Sequence, residues 1–357
     1  MDIHTFANVK AMTLGIFPGY RVVQMTHENT VLWEEQEVKP FYIENTQSNR
    51  ITLQITKSTN AAPTLVIEMS TDGTNWSSMG VTSTTAIQAY VPANGKLYLR
   101  CNANDPQGYN AWAISQAEYN TITTLNNASF NVGGSIMSLL YGSNFTGDER
   151  TFPSGSTYNF YRLFLNARII DASKLILPAT TLTQYCYGGM FEGCGLLTTA
   201  PALPATTLAQ YCYYGMFKSC LMTNAPALPA TTLSQGCYCA MFMGCNELTT
   251  APALPATTLA QDCYASMFRD CTSLTTAPDL PATTLVSGCY ALMFFGCTEL
   301  NYIKCLATDK SASNCTVNWV NGVAATGTFI KDPNITTSTW TTGYAGIPSG
   351  WTVQDAA

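Results

Sequence analysis

Charged side chains are scarce in this sequence. Asp, Glu, Lys and Arg make up 11% of its 357 residues, against roughly 25% in an ordinary globular protein, and the formal net charge is −6. A protein that binds nucleic acid needs Lys and Arg clustered against the phosphates, and the sequence has no such cluster. The composition therefore excludes a general nucleic-acid-binding protein.

Groups that could perform acid–base catalysis are also few. The two histidines, His4 and His27, lie near the N-terminus, and Asp and Glu are scattered singly rather than paired as in a glycosidase. The sequence contains no Gly-x-Ser-x-Gly elbow, no His-Glu-x-x-His helix and no phosphate-binding Gly-rich loop. We therefore predict that the protein is not an enzyme and that it binds no cofactor.

Membrane and export signals are missing as well. No stretch reaches the roughly 18 uninterrupted apolar residues that span a bilayer, so we expect no membrane insertion. The start, Met1-Asp2-Ile3-His4, lacks the basic and apolar regions of a signal peptide, so we expect no export by the general secretory route. A chain that stays in a reducing compartment keeps free thiols, and this favours reduced cysteines.

The dominant feature that is present is an internal repeat. The motif Leu-Pro-Ala-Thr-Thr-Leu begins at Leu177, Leu203, Leu228, Leu254 and Leu280, with differences of 26, 25, 26 and 26 residues. A fixed period of this size is typical of a solenoid, in which each repeat packs on its neighbours. Each copy continues through Cys-Tyr, then Met-Phe, then Cys, so that ten of the fourteen cysteines belong to the repeat.

The positions that stay constant between copies have the spacing of one helix face. At about 100° per residue they fall on a single arc, while the variable positions fall on the opposite side, which predicts a buried and a solvent-facing side. We assign the buried side to the repeat core: Cys186, Met190, Phe191, Cys194, Met216, Phe217, Met241, Phe242, Met267, Phe268, Met293 and Phe294.

The segment between these helical patterns resembles a short strand. Leu197, Ala200 and Ala202 match the Leu-x-x-Leu-x-Leu strand of a leucine-rich repeat, and the recurring Pro201 removes a ladder donor soon after it. We therefore predict a leucine-rich-repeat solenoid of short parallel strands plus helices over residues 158–308, with a degenerate capping copy near Leu163 and a C-terminal cap over residues 309–357.

The N-terminal part has a different composition. Residues 1–60 carry eleven charges, whereas residues 177–300 carry eight. Alternating apolar residues, with turn signals at Asp72-Gly73 and Asn94-Gly95, predict an antiparallel β-sandwich over residues 40–105. Short strands, including Val9 to Met12 and Val31 to Trp33, predict an N-terminal anchoring arm over residues 1–39. Residues 106–157 are predicted to form an irregular β connector. The expected fold class is mixed β and α/β.

Fourteen cysteines raise the possibility of a metal site, but their spacing argues against it. Structural zinc sites use Cys-x₂₋₄-Cys pairs, whereas the repeat cysteines lie eight residues apart, as Cys186 and Cys194 do. Helices packed side by side are about 8–10 Å apart, too far for the Cα separation of a disulfide. We predict no metal site, no disulfide ladder, and reduced thiols that act as small buried apolar groups.

The variable side of the repeat supplies the candidate binding residues. Its tyrosines are rigid amphipathic rings that lose little entropy on binding, although an ordinary solvated face is the alternative. The predicted surface-binding residues are Tyr185, Tyr211, Tyr214, Glu192, Lys218, Arg269 and Phe295.

The repeats resemble the leucine-rich repeats of the BspA surface-antigen type. The residues that carry the likeness are Met190-Phe191-x-x-Cys194 followed by Leu196-Leu197, and it extends over about Leu163 to Ile303. The prolines and the second cysteine of each copy depart from that pattern. The resemblance implies a repeat surface that is displayed to contact other molecules.

The N-terminal segments resemble parts of virion proteins of crAss-like and other Bacteroidales phages. The likeness lies in Val9 to Trp33 and in Ser70-Thr71-Asp72-Gly73-Thr74-Asn75-Trp76. It implies a head or tail fibre on the virion surface, assembled in the host cytoplasm and anchored to other virion proteins through its N-terminal region. It also implies a homo-oligomer, with a trimer favoured, and a host-surface glycan or protein as ligand. The alternative is a bacterial cell-surface leucine-rich-repeat adhesin or a secreted carbohydrate-active module.

Overall fold

The structure is a computed structural model that describes residues 4–7, 16–17, 20–22, 30–33, 35–57, 65–81, 87–102, 120–335 and 340–357. In the N-terminal region it contains five short strands: β1 (His4–Ala7), β2 (Ile16–Phe17), β3 (Tyr20–Val22), β4 (Thr30–Trp33) and β5 (Glu35–Glu37). β1 pairs with β4, and β2, β3 and β5 form a second antiparallel sheet. The predicted strand from Val9 to Met12 lies outside the described residues.

Two larger sheets follow. Their strands are β6 (Tyr42–Asn45), β7 (Ile51–Lys57), β8 (Leu65–Ser70), β9 (Ser77–Val81), β10 (Ile87–Val91), β11 (Gly95–Cys101), β12 (Asn120–Thr124), β13 (Asn131–Ser135) and β14 (Lys174–Ile176). One sheet has the order β14-β13-β6-β11-β8-β9 and the other β10-β7-β12. Every pair is antiparallel except β13 with β14. Strands from the predicted connector and from the predicted repeat region thus complete these sheets.

The sheets form because their apolar residues alternate. In β7, Ile51, Leu53 and Ile55 are buried while the residues between them are half-buried, and β11 repeats the pattern with Leu97 and Leu99. Such alternation puts one face of each sheet in the core. The buried side chains of both sheets belong to one hydrophobic cluster, which also contains the repeat residues.

A loop and a short helix complete this region. In the loop from β8 to β9, the Asp72 carboxylate accepts hydrogen bonds from the N–H groups of Thr74 and Asn75, both at 2.8 Å. These bonds hold the pKa of Asp72 well below its usual range. The helix α1 (Ser138–Tyr141) is tied to the sheet through the Ser138 hydroxyl, which donates to the Leu99 carbonyl and accepts from the Phe41 N–H, each at 2.9 Å.

The repeats contain no helix in the part of the chain that the structure describes, where α1 is the one α-helix. The protein is nearly all-β, with several sheets, so the predictions of a mixed β and α/β class and of a leucine-rich-repeat solenoid with helices over residues 158–308 are wrong. The predicted strands are reduced to single parallel bridges such as Asp171 with Thr199 and Asn224 with Thr250.

Successive turns take the place of the predicted helices. In the first copy the N–H groups of Gly188 and Met190 close local turns onto the carbonyls three residues back, at 3.0 and 3.2 Å. The intervening N–H groups of Tyr187 and Phe191 instead donate to the next copy, to Cys212 and Met216 at 3.0 and 2.9 Å. The same alternation recurs in the turns of the other copies, and we call residues 158–321 the repeat stack.

A left-handed residue at every fourth position explains why no helix forms. In the first copy φ is 55° at Tyr185, 59° at Gly189 and 75° at Gly193. A positive φ interrupts the bond from each N–H to the carbonyl four residues back, on which an α-helix depends. The constant positions, four residues apart, suit this arrangement as well as they suit a helix.

The constant residues nevertheless form the core. All twelve predicted core residues are buried, with at most a trace of exposed surface. Their rings stack from copy to copy, with centroids 5.5 Å apart for Phe191 and Phe217 and 5.8 Å apart for Phe217 and Phe242. A second column runs through Tyr187 and Tyr213, 5.8 Å apart. Each copy is therefore held by its two neighbours.

Tryptophans close the C-terminal end. The strands β15 (Tyr302–Cys305), β16 (Thr328–Lys331) and β17 (Thr352–Asp355) form a parallel sheet. The indole of Trp319 packs on the last rings of both columns and donates to the Gly346 carbonyl at 2.8 Å. Trp340 and Trp351 donate to Ala307 and Ala324 at 2.8 and 2.7 Å. No helix among the described residues has the length and apolar character needed to cross a bilayer.

Candidate functional site

Five tyrosines gather on the variable side of the first copies of the repeat stack. We call Tyr158, Tyr161, Tyr185, Tyr211 and Tyr214 the tyrosine patch. Tyr158, Tyr185 and Tyr211 form a ladder of nearly parallel rings, with centroids 4.6 and 4.9 Å apart and interplanar angles of 8° and 14°. Tyr185 is thus covered on both faces, so that ring edges and hydroxyls are the groups of the ladder left for further contacts.

The other two tyrosines meet this ladder edge-on. Tyr161 lies 5.7 Å from Tyr158 and 6.1 Å from Tyr185, and Tyr214 lies 6.2 Å from Tyr211, all in T-shaped pairs. Four of the rings are half-buried, whereas Tyr161 is buried. Burial, together with the neighbouring phenols, raises the pKa of Tyr185 to about 12. Its hydroxyl therefore stays a neutral donor and acceptor at physiological pH.

The backbone of the ladder is held in an unfavourable conformation. Tyr158, Tyr185 and Tyr211 have φ of 56°, 55° and 54°, in the left-handed region that costs an ordinary residue about 1–2 kcal/mol. Later copies hold glycine, aspartate or asparagine at this place, in Gly236, Asp262, Gly288 and Asn314. The turn itself therefore does not require tyrosine, and a tyrosine kept at this strained place in three successive copies is a pointer to function.

A row of amides lies beside the ladder. The Nε2 of Gln184 donates to Gln210, and that of Gln210 to Gln235, both at 3.4 Å. The Nε2 of Gln235 then donates to the Tyr211 hydroxyl at 3.2 Å. Hydroxyl and amide groups in a fixed array can exchange hydrogen bonds with an uncharged polar ligand.

An ion-pair network borders the patch. The Glu192 carboxylate accepts from Arg162 Nη2 at 3.1 Å and from Lys218 Nζ at 2.9 Å, so one acid joins the copies before and after its own. The guanidinium of Arg162 also lies 5.2 Å from the centroid of the Tyr161 ring. Because both sides of this carboxylate are occupied by cations, Glu192 is a poor candidate for a general base.

The seven predicted surface residues fall into two clusters. Tyr185, Tyr211 and Tyr214 belong to the tyrosine patch and Glu192 and Lys218 to its border. The other two lie further along the stack, where the guanidinium of Arg269 is 5.0 Å from the Phe295 ring centroid and its Nε is 3.3 Å from Asp270 Oδ2. The structure thus brings five of the predicted residues together and places Arg269 and Phe295 in a separate pair.

The residues that the first copy contributes to the patch were not predicted from the sequence. Tyr158, Tyr161 and Arg162 precede the first Leu-Pro-Ala-Thr-Thr-Leu motif, and their copy lacks the cysteines that mark the others. The available signal is the spacing Tyr-x-x-Tyr, which Tyr158 and Tyr161 share with Tyr211 and Tyr214. It identifies the same turn in a copy that has lost the rest of the motif.

The cysteines show no feature of a reactive or metal-binding site. All fourteen are free, and several thiols donate to a phenylalanine carbonyl of an earlier copy, as Cys194 does to Phe164 at 3.0 Å and Cys297 to Phe268 at 2.9 Å. Burial raises the pKa of Cys194 to about 12. Within the described ranges, no group of three or more His, Cys, Asp or Glu side chains is placed to hold a metal.

Comparison of the chain with protein-family models, curated proteins and solved structures gives no match. The function is therefore inferred from the chemistry of the tyrosine patch and from the resemblances of sequence segments.

Proposed function

We propose that this chain is a non-enzymatic structural and binding protein of a bacteriophage particle, a head or tail fibre whose repeat stack presents the tyrosine patch to a host-surface glycan or protein. The observation that carries the binding role is the ladder of Tyr158, Tyr185 and Tyr211. Three costly left-handed tyrosines occupy a place where later copies use residues suited to that conformation.

The chemistry of the patch favours binding over catalysis. It contains phenols, amides and one ion-pair network, in which the Glu192 carboxylate is paired with both Arg162 and Lys218. Among the side chains that the structure describes there, no base stands free beside a nucleophile, which general acid–base chemistry needs. Tyrosine and arginine are also the residues most enriched where binding energy concentrates.

The virion assignment is supported by the resemblance of residues 9–33 and 70–76 to phage virion proteins. The pairing of β1 to β5 agrees with an anchoring arm, because these strands bond with one another rather than extend the two larger sheets. In this proposal the arm joins the chain to other virion proteins on the particle surface. A closed cyclic trimer is the assembly we favour, since fibres of this kind self-associate with closed symmetry.

Immunogold electron microscopy with antibody to the purified chain tests this proposal. The expected result is gold on phage particles, at the head or the tail, with none on cells that carry no phage. Gold on the surface of uninfected bacteria would instead establish the adhesin and overturn the virion assignment. A hydrolase activity of the pure protein that one carboxylate substitution abolishes would overturn the binding class itself.

A further inference from the structure

The two-sheet region contains a polar cleft that lies outside the tyrosine patch. Its volume is about 550 Å³, within the range of small-molecule sites. One wall is the loop from β6 to β7 with the start of β7, and the other is the turn that follows β12. The lining includes Gln47, Asn49, Arg50 and Thr52 on one side and Asn127 and Ser129 on the other.

Partly buried hydrogen bonds fix the shape of this cleft. The side chain of Asn45 is buried, and its Nδ2 donates to the carbonyls of Asn49 and Pro92 at 2.8 and 2.9 Å. Across the cleft, Gln47 Nε2 donates to the Ser129 carbonyl at 2.8 Å and so ties one wall to the other. A site whose walls are already ordered binds its ligand at a lower entropic cost.

Arg50 is the one charged residue of the lining. Its guanidinium lies 4.5 Å from the ring centroid of Tyr90, which is 50% exposed and pairs across the sheet with Thr52 of the same lining. No ion pair of the described residues includes Arg50. A positioned guanidinium with no acidic partner suits a ligand carboxylate, because its planar fork matches the two oxygens.

We propose that this cleft is a binding site for a saccharide that carries a carboxylate. Arg50 takes the carboxylate, Tyr90 positions the guanidinium, and the amides and hydroxyls of Gln47, Asn127 and Ser129 exchange hydrogen bonds with the sugar hydroxyls. A polyphosphate or nucleic acid is less suited, because those ligands need several cations and the cleft supplies one. The inference goes beyond the proposed function, since it places a second binding site in another region of the chain, outside the tyrosine patch.

Calorimetric titration of the full chain with a galacturonic acid trisaccharide tests this site. The wild type is expected to bind it saturably and to bind the neutral galactose trisaccharide weakly. Arg50→Gln should weaken galacturonate binding by roughly tenfold to a hundredfold, the effect of losing a charge-assisted hydrogen bond. Arg168→Gln removes an exposed arginine outside the cleft and is the matched control, expected to bind as the wild type does.

Two further variants test the positioning role of Tyr90. Tyr90→Phe keeps the ring under the guanidinium and should bind like the wild type, whereas Tyr90→Leu should weaken binding with an unchanged thermal midpoint. The proposal is overturned if the wild type fails to bind galacturonate or if Arg50→Gln binds it as the wild type does. It is also overturned if Arg168→Gln weakens galacturonate binding as much as Arg50→Gln does. Inorganic phosphate that binds as tightly as the trisaccharide would reduce the site to simple anion binding and would also overturn it.

Discussion

The ring of Tyr211 lies over Gly236, the residue that takes the tyrosine's place in the next copy. A Cβ on Gly236 would overlap ring atoms of Tyr211, so the last ring of the ladder rests where only a hydrogen fits. The same relationship recurs elsewhere in the repeat stack, where Asn166 leans over Gly193 and Asp270 over Gly296. Gly193, Gly236 and Gly296 therefore mark places that a side chain of the preceding copy occupies.

Gly236→Ala should consequently disturb the ladder. Its matched control is Gly215→Ala, because the two glycines have φ of 57° and 56° while a Cβ at Gly215 meets nothing closer than 4.0 Å. In both variants the alanine in the left-handed conformation should lower the free energy of unfolding by about 1–2 kcal/mol. Overpacking against the Tyr211 ring should lower that of Gly236→Ala by about 1–3 kcal/mol more. Urea unfolding midpoints measure both, and equal midpoints would contradict the proposed contact.

The residues of the core could be predicted from the sequence, but the backbone that carries them could not. Cys186, Met190 and Cys194 lie four residues apart, and such a spacing follows one side of a helix of 3.6 residues per turn as well as one side of successive four-residue turns. The signal against a helix was the pair of glycines at Gly189 and Gly193, which would destabilise a helix interior by about 1 kcal/mol each. Their four-residue spacing matches the left-handed positions.

The composition of the patch shows a similar limit. Tyr185 and Tyr211 could be predicted because they vary between otherwise identical copies. Tyr158 could not, since its copy lacks the motif that defines the register. Arg269 and Phe295 share the variable side with the tyrosines, but their distance along the stack separates them, and a one-dimensional pattern does not report which variable residues of different copies touch.

The ring columns make the middle copies sensitive to truncation. Phe242 is fully buried, and its ring stacks at 5.8 Å on both Phe217 and Phe268. Phe242→Ala should therefore lower the free energy of unfolding by about 3–5 kcal/mol. Glu247→Ala, an exposed substitution in the same copy, should leave the urea midpoint almost unchanged. A midpoint for Phe242→Ala equal to that of the wild type would mean that the columns are not a core.

The buried thiols make stability fall at alkaline pH. Burial raises the pKa of Cys186 and Cys194 from 9.0 to about 12, so the folded state holds these protons more tightly than the unfolded state. The contribution of these thiols to the free energy of unfolding is fully present below pH 9. It is lost as the pH rises toward 12, by about 1.4 kcal/mol per pH unit for each thiol. Urea midpoints that stay constant between pH 8 and pH 10.5 would contradict it.

The same thiols should resist alkylation while the protein is folded, since the thiolate is the reactive form. Mass measurement after iodoacetamide treatment at pH 8 should show little labelling of the native chain. After treatment in denaturant without reductant, all fourteen cysteines should be labelled. Repeat cysteines that stay unlabelled under denaturing conditions would contradict the assignment of free thiols.

The binding role of the ladder can be separated from its structural role. Tyr185→Asn removes the central ring but places there a residue that tolerates the left-handed conformation, as Asn314 does in a later copy. The three lost ring contacts, with Tyr158, Tyr161 and Tyr211, are worth about 0.5–1.5 kcal/mol each, and the relief of about 1–2 kcal/mol of backbone strain offsets part of that loss. The variant should therefore fold, with a midpoint at or somewhat below that of the wild type.

Binding of Tyr185→Asn to host cells should nevertheless fall at least tenfold or so, because truncation of a central aromatic at an interface costs about 2 kcal/mol or more. Fluorescently labelled protein and flow cytometry of the host bacterium measure the loss. Glu247→Ala, an exposed substitution outside the patch, serves as the comparison and should bind normally. A Tyr185→Asn protein that folds and binds like the wild type would remove the patch from the proposed function.

The N-terminal strands supply the last prediction, which concerns anchoring. Deletion of residues 1–37 removes β1 to β5, which pair only with one another among the described strands. The deletion keeps Val38, which is buried, and Lys39, whose carbonyl accepts a hydrogen bond from the Ser135 N–H at 2.9 Å. The remaining sheets and the repeat stack retain their partners, so the truncated chain should fold and unfold as the full chain does. Because short strands gain stability by pairing with a partner, the deletion should abolish incorporation into particles. Quantitative immunoblotting of purified particles measures this, and truncated chain present at the full copy number would refute an anchor in residues 1–37.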